Sequence, residues 1–185
     1  MNQKLKQKIS DYLLRKEIRK GNRKTEVIPF ESAKSIGILY DATEDKDYEL
    51  IKNYVRDMRA LSKDVIALGY YNRKELPNTR FMKLGLDFFT QKSLNWKSKP
   101  IHPIVTNFMN REFDILISLN LDNGIPLQYV SSMTQAKFKI GRFDRNNYSI
   151  FDFMIKVEAN TTLKQMIGQV DHYLNLIKNE KFQEA

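Results

Sequence analysis

The sequence predicts an α/β fold: a three-layer sandwich with a mostly parallel sheet of about five or six strands, preceded by a basic N-terminal helix. Short apolar, β-prone runs alternate along the chain with segments of helical periodicity. Several of these runs are apolar at consecutive positions, which is typical of strands covered on both faces of a parallel sheet. With 185 residues, of which 42% are hydrophobic, the chain is long enough for one packed core.

The first 24 residues carry most of the positive charge. They hold nine Lys and Arg residues against Asp11 and Glu17, a net charge of +7, whereas the whole chain has +9. The remaining 161 residues therefore carry only +2. Leu5, Ile9 and Leu13 recur at the spacing of one helical face, with cations largely off it. We predict three parts: a basic amphipathic arm over 1–24, a linker over 25–34 and a single Rossmann-like domain over 35–185.

The arm has two interpretations. Its apolar face docks on the domain and its cations form a solvated surface, as in most amphipathic helices, or its cations bind a partner. Among partners, RNA or a ribonucleoprotein such as the ribosome is favoured, because pairing of cations with phosphates releases counterions. A protein groove is an alternative, and a membrane surface is disfavoured because the apolar face lacks Trp and Phe. The residues expected to bind RNA or another partner are Lys4, Lys8, Arg15, Lys16, Arg19, Lys20, Arg23, Lys24 and, in the body, Trp96.

The first half of the body predicts a βαβ unit. Residues 35–40 (SIGILY) form the first strand, and Thr43 is expected to cap the helix that follows, with acidic residues in its first turn. Apolar residues at helical spacing mark one buried face of this helix, which is expected to end near Ser62. Residues 64–71 (DVIALGYY) form the second strand, joined by a right-handed crossover.

The second half continues the alternation. Residues 113–119 (FDILISL) are the strongest strand signal, and Thr161 or Thr162 is expected to cap the final helix. The other predicted elements are a third strand over 82–90, a loop over 93–99 that carries Trp96, a helix over 103–111, a helix starting at Pro126, and strands over 136–141 and 151–157.

Two resemblances concern this part of the chain. Residues 113–141 (FDILISLNLDNGIPLQYVSSMTQAKFKIG) are similar to the N-terminal Rossmann-like half of heptosyltransferase-type glycosyltransferases, with their strand, helix and "AK-x-x-IG" strand, over less than a fifth of the chain. The whole body resembles a small uncharacterised family of Bacteroidota proteins of unknown function, on Phe88-Phe89, the 93–96 loop, Phe113-Asp114 and the 136–141 run. The first resemblance implies a fold. Glycosyltransferases of that type bind the nucleotide sugar mainly in a C-terminal domain, which this chain is expected to lack.

The sequence holds none of the common catalytic motifs. G-x-G-x-x-G, G-x-x-x-x-G-K-[ST] and G-x-S-x-G are absent, and the chain has no cysteine for a thiolate site or a disulfide. The acidic turn 41–45 (DATED) would repel a pyrophosphate, and His102 and His172 lie too far apart for a histidine metal motif. No apolar run reaches the length that spans a bilayer. We therefore expect a cytoplasmic binding protein without cofactor or metal, rather than an enzyme.

Polar residues follow the predicted strands, where open α/β sheets bind ligands. One interpretation is a crevice of a nucleotide- or sugar-nucleotide-dependent enzyme, in which two carboxylates, Asp41 and Asp122, can hold Mg²⁺. The other is that each residue only forms a turn. Likewise, Trp96 either stacks a nucleobase or covers the edge of the core, and Lys137 with Lys139 forms a basic edge or guards an edge strand. The crevice candidates are Asp41, Thr43, Asn72, Asn120 and Asp122.

Overall fold

The computed structural model describes Tyr12 and residues 23–78, 80, 85–122, 124–145 and 148–177. Within these residues the chain forms a six-stranded sheet with the order β3-β2-β1-β4-β5-β6, and every neighbouring pair is parallel. This confirms the predicted fold class. The strands are β1 (Ser35–Asp41), β2 (Asp64–Tyr71), β3 (Leu86–Thr90), β4 (Ile115–Ser118), β5 (Phe138–Arg142) and β6 (Phe153–Ile155). The helices are α1 (Asp45–Ala60), α2 (Pro103–Asn110), α3 (Ile125–Met133) and α4 (Leu163–Leu176).

Two apolar clusters lie on the two faces of the sheet. Successive strand residues alternate between them, so Ile38 belongs to the cluster formed with α1 and α4, whereas Leu39 belongs to the cluster formed with α2 and α3. In α1, Ile51, Tyr54, Val55 and Met58 are buried as their periodicity predicted, but Leu61, predicted on the same face, follows the end of the helix and is exposed. Because both faces are covered, the central strands are buried along most of their length, as their continuous apolar sequences indicate.

The strand order places a topological switch beside β1. The chain builds outward from β1 through β2 to β3, and then returns to pair β4 with the other side of β1. The loops after β1 and β4 therefore diverge to opposite faces and open a crevice at the carboxyl ends of the strands. All strands run in the same direction, so the sheet has one amino edge and one carboxyl edge.

Two local predictions are wrong. Thr43 does not cap α1: the cap is Glu44, and the Thr43 hydroxyl instead accepts a hydrogen bond from the N–H of Asn72 at 3.1 Å. Lys139 is neither a basic edge nor an edge guard, because β5 pairs with β4 and with β6, and the side chain is buried. By contrast, Thr162 caps α4 as predicted, in a reciprocal pair with Gln165.

Residues 23–34 lie against the domain. Ile28 and Phe30 pack on the apolar core, Ala33 is buried, and the N–H of Glu26 donates to the carbonyl oxygen of Lys137 at 3.1 Å. The segment assigned as a linker from its polar composition thus contributes apolar contacts and a backbone hydrogen bond.

Candidate functional site

A cleft of about 840 Å³ opens at the carboxyl edge of the sheet. Its walls come from the segments that follow β1, β2, β3 and β4, the position at which sheets of this topology bind ligands. Its volume lies in the range of small-molecule sites, roughly 300–1,000 Å³. The lining residues are Asp41, Tyr70, Asn72, Lys74, Gln91, Lys92, Leu94, Asn95, Trp96, Ser98, Asp122, Gly124, Ile125, Pro126 and Leu127.

Two carboxylates line the cleft beside the topological switch. Asp41 Oδ1 accepts a hydrogen bond from the N–H of Thr43 at 2.8 Å, and Asp122 Oδ1 accepts one from the N–H of Gly124 at 2.9 Å. Each aspartate therefore forms the turn that the alternative interpretation predicted. In both cases the bond uses Oδ1, so Oδ2 is able to accept a hydrogen bond from a ligand.

Tyr70 and two side-chain amides form a hydrogen-bonded group in the cleft. Its hydroxyl donates to Asn72 Oδ1 at 3.1 Å, and the same oxygen accepts from Gln91 Nε2 at 3.1 Å. Burial raises the pKa of Tyr70 to about 12, with further contributions from the charges of Asp41 and Asp122. The negative charges of both carboxylates disfavour ionisation of this hydroxyl, which stays protonated at neutral pH.

The opposite side of the cleft is basic. Lys74 follows β2 and Lys92 follows β3, and both line the cleft. Lys92 Nζ lies 2.7 Å from Glu75 Oε1, but both side chains are mostly exposed, at 62% and 78%, so water screens this pair. The cleft therefore has a carboxylate side at β1 and β4 and an ammonium side at β2 and β3.

The loop after β3 presents the single tryptophan at the cleft. Asn95 Oδ1 accepts hydrogen bonds from the N–H groups of Lys97 and Lys99 at 2.9 and 3.1 Å, and Leu94 forms an isolated antiparallel bridge with Pro100. These contacts shape the loop around Trp96, which is 59% exposed. Of the two interpretations of Trp96, the exposure of the side chain disagrees with the one in which it covers the edge of the core. Lys97 Nζ lies 5.0 Å from the ring centroid.

The structure brings together residues that the sequence analysis had assigned to different surfaces. Asp41, Asn72 and Asp122 line the cleft, and so does Trp96, which had been grouped with the arm. Asn120 lies by a second cavity, of about 10 Å³, which has room for about one water. Thr43 is not among the residues that line the cleft, but its hydroxyl accepts a hydrogen bond from the N–H of Asn72, which does line it.

Sequence reasoning missed several lining residues. Tyr70 was assigned to the interior of a strand, and the amides of Gln91 and Asn95 were not considered. The available signal was positional, because Lys74, Gln91 and Asn95 all follow the carboxyl ends of predicted strands. Only the strand order shows that these ends converge on one cleft.

The arm residues fall mostly outside the described part of the chain, which leaves out Lys4, Lys8, Arg15, Lys16, Arg19 and Lys20. Tyr12 is helical and 67% exposed. At the end of the arm, Arg23 Nη1 donates to the carbonyl oxygens of Ala136 and Lys137, both at 2.8 Å, and Nη2 pairs with Asp152 at 2.5 Å. Arg23 is thus held by the domain, whereas Lys24 is exposed.

Neither histidine is among the residues that line the cleft. Over the described residues, no group of three or more His, Cys, Asp or Glu side chains is placed to hold a metal ion. His102 caps α2, where its Nδ1 accepts from the N–H of Ile104 at 3.3 Å, and His172 on α4 packs edge-on against Tyr173. No helix in the described ranges is both long and apolar enough to cross a membrane.

Comparison with known proteins identifies a family. Residues 6–177 match DUF6913, a family of unknown function. The chain belongs to this family. Neither the curated proteins nor the solved structures returned a match. The match covers residues 6–24 of the arm, strands β1 to β6 and the residues that line the cleft.

Proposed function

We propose that this protein binds RNA or a ribonucleoprotein surface in the cytoplasm without catalysing a reaction, through the basic arm that precedes its Rossmann-like domain. The observation that carries the proposal is the charge distribution: +7 in residues 1–24 against +2 in all the others. Cations concentrated on one short segment match a phosphate backbone, because each contact releases counterions.

The attachment of the arm supports this proposal. The three hydrogen bonds of Arg23 hold the end of the arm at the residues just before β5 and β6. Those residues lie at the amino edge of the sheet, opposite the cleft at the carboxyl edge. The arm and the cleft therefore start from different ends of the domain, and the loss of one is expected to leave the other intact.

The test is the salt dependence of RNA binding. In the full chain, Lys4, Lys8, Arg15, Lys16, Arg19 and Lys20 are replaced by Gln, and binding of a labelled single-stranded RNA is followed by fluorescence anisotropy at several salt concentrations. Arg23 is kept, because its substitution would also remove contacts with the domain. We expect the slope of log K against log salt to fall by up to about four, since single strands lose about 0.7 per phosphate contact.

The matched control has the same numbers of lysines and arginines replaced on the body. Lys34, Lys46, Arg56, Arg145, Lys156 and Lys164 are exposed in the structure. This second variant has the same net charge as the first and is expected to keep the wild-type salt slope. Equal losses in the two variants, or no RNA binding by the wild type at low salt, would contradict the proposal. Tight binding of a protein partner, with an affinity that does not depend on the salt concentration, would favour an adaptor function instead.

The resemblances to Bacteroidota proteins and to heptosyltransferase-type glycosyltransferases remain predictions. The observation that favours an enzyme or a small-molecule binding protein is the cleft itself, whose ligand is a separate question from the arm.

A further inference from the structure

The negatively and the positively charged residues of the cleft follow different strands of the sheet. Asp41 ends β1 and Asp122 follows β4, the two strands at the middle of the sheet, whereas Lys74 and Lys92 follow β2 and β3, on the β3 side of β1. A ligand that fills the cleft thus meets hydrogen-bond acceptors at one end and ammonium groups at the other. This arrangement suits a molecule with hydroxyl groups at one end and an anionic group at the other.

The carboxylate side excludes phosphate. In most nucleotide sites of this topology, phosphate accepts from backbone N–H groups at a helix N-terminus. Here the Thr43 N–H before α1 donates to Asp41, and the Gly124 N–H before α3 donates to Asp122. Pro126, in the first turn of α3, has no N–H to donate. Because each aspartate carries negative charge at the place where a phosphate would sit, an anionic group is directed to the lysines.

The same carboxylates are well suited to a diol. A carboxylate accepts hydrogen bonds but donates none, so it binds hydroxyl groups and not phosphate oxygens. Asp41 and Asp122 line the same cleft, together with Tyr70, and their carboxylate oxygens offer several acceptor positions for the neighbouring hydroxyls of a ribose. Hydrogen bonds to an ionised acceptor are stronger than those between neutral groups, which makes this contact selective.

Trp96 supplies an aromatic surface on the same cleft. Its ring is 59% exposed, and Lys97 lies over it at 5.0 Å. Stacking of a nucleobase on an exposed aromatic ring is favourable for every base, because every base has a π face. The apolar residues Ile125 and Leu127 on the α3 side provide further contact area for a planar ligand.

We propose that the cleft is a binding site for a ribonucleoside monophosphate. The base stacks on Trp96, the ribose hydroxyls donate to Asp41 and Asp122, and the single phosphate pairs with Lys74 and Lys92. The cleft volume of about 840 Å³ accommodates such a ligand. The inference goes beyond the proposed RNA function and does not depend on it, because the arm is attached at the opposite edge of the sheet.

The single tryptophan makes the test direct. Since the chain has one Trp and it lines the cleft, intrinsic tryptophan fluorescence reports on this site alone. The wild-type full chain is titrated with AMP, GMP, CMP and UMP, and then with the 2′-deoxy forms. We expect saturable quenching by the ribonucleotides and about tenfold weaker binding of the deoxy forms, which lack one hydroxyl donor to a carboxylate. Free ribose 5-phosphate competes weakly, because it has no base to stack.

The acidic side is tested with Asp41→Asn and Asp122→Asn. Asparagine keeps Oδ1 as an acceptor for the Thr43 or Gly124 N–H, so the turns are expected to form, and a melting temperature checks this. We expect the preference for ribose over deoxyribose to fall from about tenfold towards unity in these variants. An unchanged preference in both variants would overturn the assignment of the ribose.

The basic side is tested with Lys74→Gln and Lys92→Gln, with Lys46→Gln as a control on the exposed surface of α1. We expect the two cleft variants to lose affinity for AMP but not for adenosine, since only AMP carries the phosphate. Equal weakening of both ligands would contradict the assignment of the phosphate.

Two further outcomes decide the inference as a whole. Absence of quenching by all four ribonucleotides at millimolar concentration would overturn it. The variant with six arm cations replaced is expected to keep the wild-type affinity for AMP. If AMP affinity falls with the arm charges, the nucleotide is bound by the arm and the cleft assignment is wrong, whatever the outcome for RNA.

Discussion

Two charged residues at each edge of the sheet have contrasting roles. At the amino edge, Lys63 Nζ donates to three backbone carbonyl oxygens, and Asp114 accepts from two backbone N–H groups and from Lys137. At the carboxyl edge, Asp41 and Asp122 bond to N–H groups only two residues away and face an open cleft. Lys63 and Asp114 at the amino edge thus connect remote segments, whereas Asp41 and Asp122 at the carboxyl edge shape local turns and line the cleft.

Among substitutions of charged residues, the largest loss of stability is expected at Asp114, which is compared with Asp122 at the carboxyl edge. Asp114→Ala removes acceptors of the N–H groups of Lys34 and Ser35 and the partner of Lys137. We expect the free energy of unfolding to fall by about 3 kcal/mol, because hydrogen bonds to ionised groups are worth about 1.5–3 kcal/mol each and partly buried donors lose their partner. Urea unfolding measures the loss.

Asp122→Ala is the matched variant at the carboxyl edge. It removes one turn hydrogen bond, to Gly124, and we expect a loss of about 1 kcal/mol or less. Equal losses for the two aspartates would break the comparison between the edges.

The pKa of Asp114 adds a pH signature: burial raises it, but the hydrogen bonds from Lys137, Lys34 and Ser35 outweigh burial and hold it below its usual value. The stability from this residue is therefore present above the ordinary aspartate pKa of 3.8 and is lost as the pH falls below it.

The second effect comes from the ammonium group buried at the amino edge. Lys139 Nζ donates to the carbonyl oxygens of Ser131 and Ser132, at 2.8 and 3.1 Å, at the end of α3. Burial lowers the pKa of Lys139 to about 7, and the charge of Arg23 contributes to the lowering. In the unfolded chain, the pKa of this lysine has its ordinary value of 10.5. Between about pH 7 and pH 10.5, the unfolded chain therefore binds more protons than the folded chain. The free energy of unfolding consequently rises with pH in this range.

A comparison with Lys139→Met isolates this contribution. Between about pH 7 and pH 9, we expect the free energy of unfolding of the wild type to rise by about 2 kcal/mol more than that of the variant. The reason is that one proton contributes about 1.4 kcal/mol per pH unit. Lys164→Met on the exposed face of α4 is the control and is expected to follow the wild-type profile. If the profiles of wild type and Lys139→Met run parallel, the ammonium does not lose its proton in this range.

A smaller effect is expected where the arm joins the amino edge. Arg23→Ala removes two hydrogen bonds to carbonyl oxygens and the pair with Asp152. We expect a loss of about 1–2 kcal/mol by urea unfolding, because the guanidinium is largely buried. The exposed Lys24→Ala serves as the neighbouring control and is expected to change stability by less than about 0.5 kcal/mol. Similar values for the two residues would show that the arm is not held at this point.

The smallest effect is expected at the rim of the cleft. Trp96→Ala is expected to lower the free energy of unfolding by less than about 1 kcal/mol, since the ring is 59% exposed and most of its surface already contacts water. Phe113→Ala is the contrast at the amino edge: its ring is fully buried against Phe108, and we expect about 3–5 kcal/mol. A large loss for Trp96→Ala would mean that the ring packs into the core instead of facing a ligand.

The sequence by itself determined the features that depend on neighbouring residues. The apolar run of β2 predicted its bounds, and the position before an amphipathic helix limited the cap of α4 to Thr161 or Thr162, of which Thr162 is the cap. Asp122 was recognised as a turn former, because an aspartate side chain reaches the N–H two residues further along. Such interactions are encoded within a few residues, so periodicity and spacing are sufficient to predict them.

Only the tertiary structure decided which distant residues meet. The strand order places β2 and β4 on the two sides of β1, and it brings Trp96 to the same cleft as Asp41 and Asp122. Lysine is a residue type that is common on edge strands, yet Lys139 is buried, because β5 pairs with β6 as well as with β4. Thr43 has the spacing of a helix cap, but the N–H of Asn72 lies within reach of its hydroxyl. In each case the partner lies many residues away in the chain, where local propensity carries no information.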